Sequence, residues 1–217
     1  MSLRVEVVQV TPFSQNCSII WCDQTNKGAV IDPGGDLEKI AAVIKKHEVE
    51  IEQILLTHGH LDHAGGASPL SRNLGVPIIG PHKDDLFWLE GIEQQGKNYG
   101  FSMVENCMPD RWLDDGAKIT VGNQSLEVLH CPGHTPGHLV FYHRESGLAF
   151  VGDVIFKGSI GRTDFPKGDY HTLINSITRK LWPLGEETRF VSGHGPISDF
   201  KTERRTNAFV SDSRLAN

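Results

Sequence analysis

Thr57-His58-Gly59-His60-Leu61-Asp62-His63 is the stretch on which the reading of this fold turns. His58, His60, Asp62 and His63 are all metal-competent, and they crowd into a single turn's worth of chain. They follow the apolar-rich run Ile51-Glu52-Gln53-Ile54-Leu55-Leu56, which reads as a buried strand ending where the histidines begin. Gly59 allows a tight backbone turn there, so neighbouring side chains can converge instead of spreading along a strand. Imidazole nitrogen with carboxylate oxygen suits zinc, and also iron or manganese. The bland alternative is a histidine-rich polar loop. With 11 His in 217 residues some clustering is expected, but chance rarely gives this order directly after a strand.

Three further candidates have the same setting. His134 stands in Cys131-Pro132-Gly133-His134-Thr135-Pro136-Gly137-His138, behind the apolar-rich stretch 125–130. Asp153 follows Gly147-Leu148-Ala149-Phe150-Val151-Gly152, and His194 follows Thr188-Arg189-Phe190-Val191-Ser192-Gly193. Each falls beside a glycine at the end of a predicted strand, where a rigid sheet can deliver ligands to a common edge. Seven ligands exceed one closed tetrahedral site and fit two metals sharing a carboxylate and a water-derived bridge. Asp153 suits the bridging position, because a carboxylate has two oxygens and an imidazole offers one free lone pair.

Around these motifs, the chain reads as one domain over residues 1–217, with no linker, repeat or low-complexity segment. Its 38% hydrophobic and 22% charged content suits a folded globular protein and excludes intrinsic disorder. A formal charge of −6 argues against nucleic-acid binding, which expects a basic face. No apolar run approaches the roughly 20 residues that span a bilayer, and the N-terminus lacks the pattern of a secretory signal. The expected compartment is the cytoplasm. Cys17, Cys22, Cys107 and Cys131 form no Cys-x-x-Cys pair, and are expected to be reduced and inert.

Early strands are expected at 5–7, 17–21 and 28–32. Pro33-Gly34-Gly35 breaks the chain, after which Asp36 is placed to cap a helix carrying Leu37, Ile40, Ala41 and Ile44. Further expectations are a helix over 64–75, a strand over 76–79, a helix over 84–95, a loop over 96–109 and strands from 117 to 151. An amphipathic helix is expected over 169–182, and a last helix over 201–210. Asp32 is either an orienter of a metal-ligand histidine or a turn carboxylate. Thr57 either bonds a ligand or satisfies the strand end. Gly65 and Gly66 are assigned to close helix packing. His138 is assigned a supporting role rather than a ligand's, and His47, His82, His130, His143 and His171 have no comparable context. Lys157-Gly158-Ser159-Ile160-Gly161-Arg162-Thr163-Asp164 begins four residues after Asp153. Such a loop can bring backbone donors and a cation beside the metals, and Lys157 and Arg162 are the candidate substrate-binding residues. Arg162 either grips a substrate carboxylate or pairs within the protein.

The order His-x-His-x-Asp-His, then His, Asp and Gly-His-Gly-Pro, resembles the metallo-β-lactamase superfamily over nearly the whole chain. Within it, the chain looks most like the glyoxalase II-type hydrolases, which cleave thioesters of glutathione. The resemblance implies an α/β fold (α+β in some schemes), specifically a four-layer αβ/βα sandwich. It implies that His58, His60 and His134 hold one metal, that Asp62, His63 and His194 hold another, and that Asp153 bridges them. Zinc is the first expectation, with iron or manganese as alternatives. Asp62 and Asp153 are the implied catalytic residues, and an acyl thioester, possibly glutathione-derived, is the implied partner. Two-domain glyoxalase II enzymes carry a further helical glutathione-binding region. The sequence ends soon after His194, so weaker glutathione selectivity is expected. Glu203-Arg204-Arg205-Thr206-Asn207 resembles a terminal helical motif of the family.

Divalent ions can lower the pKa of water to about 7 and stabilise an anionic tetrahedral intermediate. A thiolate leaves with little help, since a free thiol has a pKa near 8.5. The nearest rival is a persulfide dioxygenase, of similar fold, whose single iron would use His58, His134 and Asp153. The Gly161–Asp164 motif resembles that group as well, whereas His134-Thr135-Pro136-Gly137-His138 favours the hydrolases. A β-lactamase, a nuclease and a non-enzymatic metal-binding protein are weaker readings. The last is disfavoured by seven intact ligand positions.

Overall fold

A computed structural model describes residues 2–101 and 104–216. Side chains alternate across each central strand, and that alternation builds the layers. β1 (Leu3–Val10), β2 (Gln15–Cys22) and β3 (Lys27–Ile31) form an antiparallel meander. Helix α1 (Leu37–Lys46) then crosses to β4 (Glu50–Leu55), which lies parallel to β3. Short helices α2 (Leu61–Ala64) and α3 (Ala67–Leu74) lead to β5 (Ile78–Ile79), which closes a sheet ordered β1-β2-β3-β4-β5. On β2 and β4, Ile19 and Ile54 point toward a cluster containing Ile40 of α1 and Leu70 of α3. Their neighbours Ile20 and Leu55 point the opposite way, into the core shared with the second sheet.

Helices α4 (Leu86–Leu89) and α5 (Ile92–Tyr99) precede β6 (Lys118–Val121), β7 (Gln124–His130), β8 (Leu139–His143) and β9 (Leu148–Gly152). A two-stranded ribbon, β10 (Ile155–Phe156) with β11 (Ser159–Ile160), follows, then α6 (Tyr170–Ser176), β12 (Arg189–Ser192), β13 (Ser198–Asp199), α7 (Phe200–Thr206) and α8 (Asp212–Leu215). The second sheet runs β13-β12-β9-β8-β7-β6, with β12 and β9 parallel. Phe141 and Phe150 face the first sheet. Val140, Tyr142, Ala149 and Val151 face outward, onto Leu173 of α6 and Phe200 of α7. The result is the expected helix–sheet–sheet–helix sandwich.

Several local expectations are corrected. The helix over 64–75 starts earlier, at Leu61, and is interrupted at Gly65-Gly66. There the helix lies against the Pro33 and Gly34 carbonyls, and a Cβ on either glycine would collide. The 76–79 strand shrinks to its last two residues. The 84–95 helix becomes a 3₁₀ turn and two helices, the second running through Gly96 to Tyr99. Gly96 belongs to this helix because it packs on Val104, and Gly100, at φ +74°, ends the helix. The expected 96–109 loop therefore starts four residues late, and Ser102 and Met103 within it lie outside the described residues. Asp36 precedes α1 but does not cap it. It is left-handed, and its carboxylate accepts from the Thr11 amide and Lys39 instead. The 169–182 helix is capped by Asp169 as a helix should be, but changes to a wider π-type turn over Ile177–Leu181. The helix expected over 201–210 stops at Thr206 and is not the last, since α8 follows it. Asn207 leaves the helix and spends its side chain on Glu203 and on the Ser159 carbonyl. Glu203 is fully buried and accepts from Ser198 and from the Gly158 amide, so the 203–207 motif anchors the ribbon.

Candidate metal centre

The seven sequence-derived ligands come together at one edge of the sandwich, each delivered by the end of a strand or by the helix that follows it. β4 supplies His58 and His60, and α2 supplies Asp62 and His63. His134 lies between β7 and β8, Asp153 just beyond β9, and His194 just beyond β12. His58, His60 and His134 form one cluster: the His58 Nε2 and His134 Nε2 atoms stand 3.1 and 3.0 Å from His60 Nδ1. Asp62, His63 and His194 form a second, with His194 Nε2 3.1 Å and His63 Nε2 3.8 Å from Asp62 Oδ2. Asp153 faces both: its Oδ1 is 3.3 Å from His63 Nε2, and its Oδ2 is 3.5 Å from His134 Nε2 and 3.7 Å from His194 Nε2.

In His58, His63, His134 and His194 the ring nitrogen turned away from the clusters is engaged elsewhere, which fixes the tautomers. Thr57 donates its hydroxyl to Asp32 at 2.6 Å, so the same oxygen is left to accept from His58 Nδ1 at 3.0 Å. His63 Nδ1 donates to Asp32 at 2.9 Å, His134 Nδ1 to the Arg162 carbonyl at 2.7 Å, and His194 Nδ1 to the Phe13 carbonyl at 3.1 Å. Of the two roles open to Asp32, the structure assigns the orienting one. His138 stacks on His58, and its Nε2 accepts from the Asp153 amide at 3.0 Å, so it fixes the backbone of Asp153 from beneath.

Burial pushes the His58 and His60 rings well below the usual imidazole range, and lowers His134 too, so the first cluster consists of neutral, ligand-competent rings. Burial opposes charge on His63 and His194 as well, but the Asp153 and Asp62 carboxylates outweigh it and raise both. Asp153 is held far below the ordinary carboxylate range: burial would raise it, and His63, His134 and His194 overcome that. Without a metal, the second cluster is a set of ion pairs, buried at His63 and partly exposed at Asp62 and His194. The fit of cations is tested by what this leaves unsatisfied. His63 Nε2 and Asp153 Oδ1 are buried with no hydrogen-bond partner among the described residues, although they face one another. A divalent ion supplies what both lack, and the nitrogen and carboxylate donors suit it.

Gly193 makes the close approach possible. A Cβ there would strike the Asp153 carboxylate and the His63 ring. Gly193→Ala is therefore expected to weaken metal binding at the second cluster, whereas Gly75→Ala, strained at φ +70° but with nothing nearby, should lower stability alone. Zinc titration beside thermal melts of both variants checks this. Equal metal affinity in the two would contradict it.

The clusters floor a cavity of about 610 Å³ whose walls are aromatic: Phe13, Trp88, Tyr99, Phe156 and Phe165. Arg162 lines its rim, and both readings of this residue meet there. Its guanidinium forks onto Asp164 at 2.9 and 2.8 Å and lies 4.4 Å over the Phe165 ring, yet it remains largely exposed. Lys157 is exposed on the β10–β11 turn and is not among the residues lining the cavity. Cys131 is packed in the outer core beside α6, and burial pushes its thiol up to about 12.

Sequence reasoning passed over the aromatic wall and Asp85. Asp85 is fully buried, and burial pushes its carboxyl up to about 6 although three hydrogen bonds pull the other way. Its local sequence, Lys83-Asp84-Asp85, reads as an exposed helix start and carries no signal of burial.

A profile for the metallo-beta-lactamase superfamily matches residues 10–194. The chain is 43% identical over 210 residues to the hydroxyacylglutathione hydrolase GloC of Haemophilus influenzae, covering 96% of this chain and 99% of that protein. Among solved structures, TTHA1623 in a di-iron-bound form superimposes with a TM-score of 0.86 at 36% identity, over 94% of this chain and all (100%) of the other. The BLEG-1 B3 metallo-beta-lactamase superimposes at 0.87 and 31% identity, over 95% and 99%.

Proposed function

The chain belongs to the metallo-beta-lactamase superfamily, and from that premise we propose that this metallohydrolase cleaves acyl thioesters, S-lactoylglutathione or a related hydroxyacyl thioester among them. The observation that carries the proposal is Asp153, placed between two three-residue clusters on the floor of one aromatic cavity. His58, His60 and His134 would hold one divalent ion and Asp62, His63 and His194 the other, with Asp153 shared. Zinc is the first choice for both. Bound there, the ions supply acidified water and positive charge opposite a developing oxyanion.

The chain's own residues do the rest. Asp32, Thr57 and the Arg162 carbonyl hold the ligand rings in the productive tautomer. Asp62, whose side chain retains 14% exposure, reaches the cavity and is the carboxylate placed to take a proton from the attacking water. The aromatic walls exclude bulk water and receive the apolar parts of the thioester. A thiolate leaving group needs no strong acid, and none faces the floor among the described residues. Arg162 offers a substrate carboxylate a fork now filled by Asp164. Four free, buried thiols fit a reducing compartment, and the cytoplasm is the proposed location. Among the described residues no helix is long and apolar enough to cross a membrane.

The test measures zinc-reconstituted protein on S-lactoylglutathione and on a lactoyl thioester of a truncated thiol. Both should be hydrolysed, with a modest preference for glutathione. Arg162→Ala should reduce that preference by about tenfold, the scale of one charge-assisted hydrogen bond. Failure to hydrolyse either thioester at full metal loading, with oxygen uptake on glutathione persulfide, would replace this reading by the dioxygenase.

A further inference from the structure

Two separate turns carry the first cluster. One holds His58 and His60 around Gly59, and the other holds His134 in the 131–138 segment. At their bases the Leu139 amide donates to the Thr57 carbonyl at 2.7 Å. Between them lies a single buried carboxylate, from a third part of the chain. Asp85 accepts from the Gly59 amide at 2.9 Å and from the Thr135 hydroxyl at 2.8 Å on one oxygen, and from the Gly137 amide at 2.6 Å on the other. It is 0% exposed, and a 3₁₀ turn closed by its own amide onto the His82 carbonyl at 3.0 Å presents it. A second contact runs the same way: the His82 amide donates to the Gly137 carbonyl at 3.1 Å.

The two glycines are shaped to this arrangement. A Cβ on Gly59 would meet Trp88 and the Asp85 carbonyl, and one on Gly137 would meet the Asp85 amide and the His82 carbonyl at 2.6 Å each. Both metal-bearing turns thus press their backbones against the segment 82–88. The second cluster makes no such use of it, since Asp32 orients His63 and the Phe13 carbonyl holds His194.

We infer that Asp85 is a positioning residue for the first cluster alone, pinning the His58/His60 turn and the His134 turn at the separation that a shared ion requires. The inference rests on the reading that these clusters hold metal. It does not touch substrate. Asparagine cannot replace it. Both carboxylate oxygens are engaged as acceptors, so an amide NH₂ must face at least one backbone N–H and leave it unsatisfied.

The experiment is zinc titration against a competing chelator in backgrounds that isolate each cluster. His194→Ala leaves the first cluster to be measured, and His60→Ala leaves the second. Adding Asp85→Asn to His194→Ala should weaken the remaining site by about 10–100-fold, the range for an outer partner of a ligand. Adding it to His60→Ala should change nothing. Equal weakening in both backgrounds, or in neither, overturns the inference. Wild-type protein that binds no zinc would instead overturn the reading beneath it. Should Asp85→Asn not fold, Thr135→Val removes one of the three donors and keeps the two amides. A several-fold loss confined to the first cluster supports the assignment, and an unchanged first cluster refutes it.

Discussion

Asp153→Ala is expected to lower thioester hydrolysis by about 10³-fold or more. Loss of one preorganised oxyanion donor already costs ~10²–10³ in rate, and this carboxylate faces both clusters at once. Its removal also strips His63, His134 and His194 of the negative charge they share. The metal content should fall with the activity. Asp32→Ala is the control: without touching the cavity it frees His63 Nδ1 and releases the Thr57 hydroxyl that orients His58, and it should cost about 10–100-fold in metal affinity. Rates compared at measured metal content decide the matter. Wild-type activity in a fully metallated Asp153→Ala protein would remove Asp153 from the centre.

Stripping both ions should lower the melting temperature by about 10–20 °C. A ligand at 100 times its dissociation constant stabilises a fold by about 2.7 kcal/mol, so two sites give about 5. For a chain of this size, each kcal/mol moves the melting point by about 2–4 °C. The Asp153 and Asp62 carboxylates raise the His63 and His194 imidazoles in the metal-free protein, so these rings keep their protons to higher pH than free imidazoles do. Loading the second cluster must therefore release protons, and its affinity must fall as pH falls. Calorimetry before and after chelation, repeated at two pH values, reads both effects. An unchanged melting point after removal verified by metal analysis would show that the ions do not stabilise the folded protein, against this expectation.

The candidate ligands were legible because they fall just after predicted strands, each beside its own local signal of an apolar run, a glycine and a polar side chain, with Asp62 and His63 following on α2. The four layers were not read from periodicity alone. The buried strands look continuously apolar, since Ile19 and Ile20, or Ile54 and Leu55, serve opposite faces that are both covered. The misread boundaries share a cause. Gly65 and Gly66 read as packing residues within one helix and Gly96 as loop, whereas the helix is interrupted at the first two and a helix runs through the third, and each is fixed by a backbone or side chain distant in sequence. Asp36 resembled a cap because acid before a helical pattern usually is one; here Thr11 and Lys39 claim its carboxylate. Asp85 was invisible for the strongest form of this reason: its three donors lie 26, 50 and 52 residues away.

The centre is also sewn across the whole length of the chain. His63 meets a residue of the last long strand's exit, and the Asn16 amide bonds the Gly193 carbonyl at 2.7 Å, joining the first hairpin to the same exit. A ribosome making this protein N-terminus first releases His58, His60, Asp62 and His63 long before His194 exists. Until then Asp62 and His63 lack the third member of their cluster. Such long-range closure is slow to form. Completion of the second cluster is consequently a late event in the protein's birth, since it waits for His194 to emerge and for the chain to close upon it.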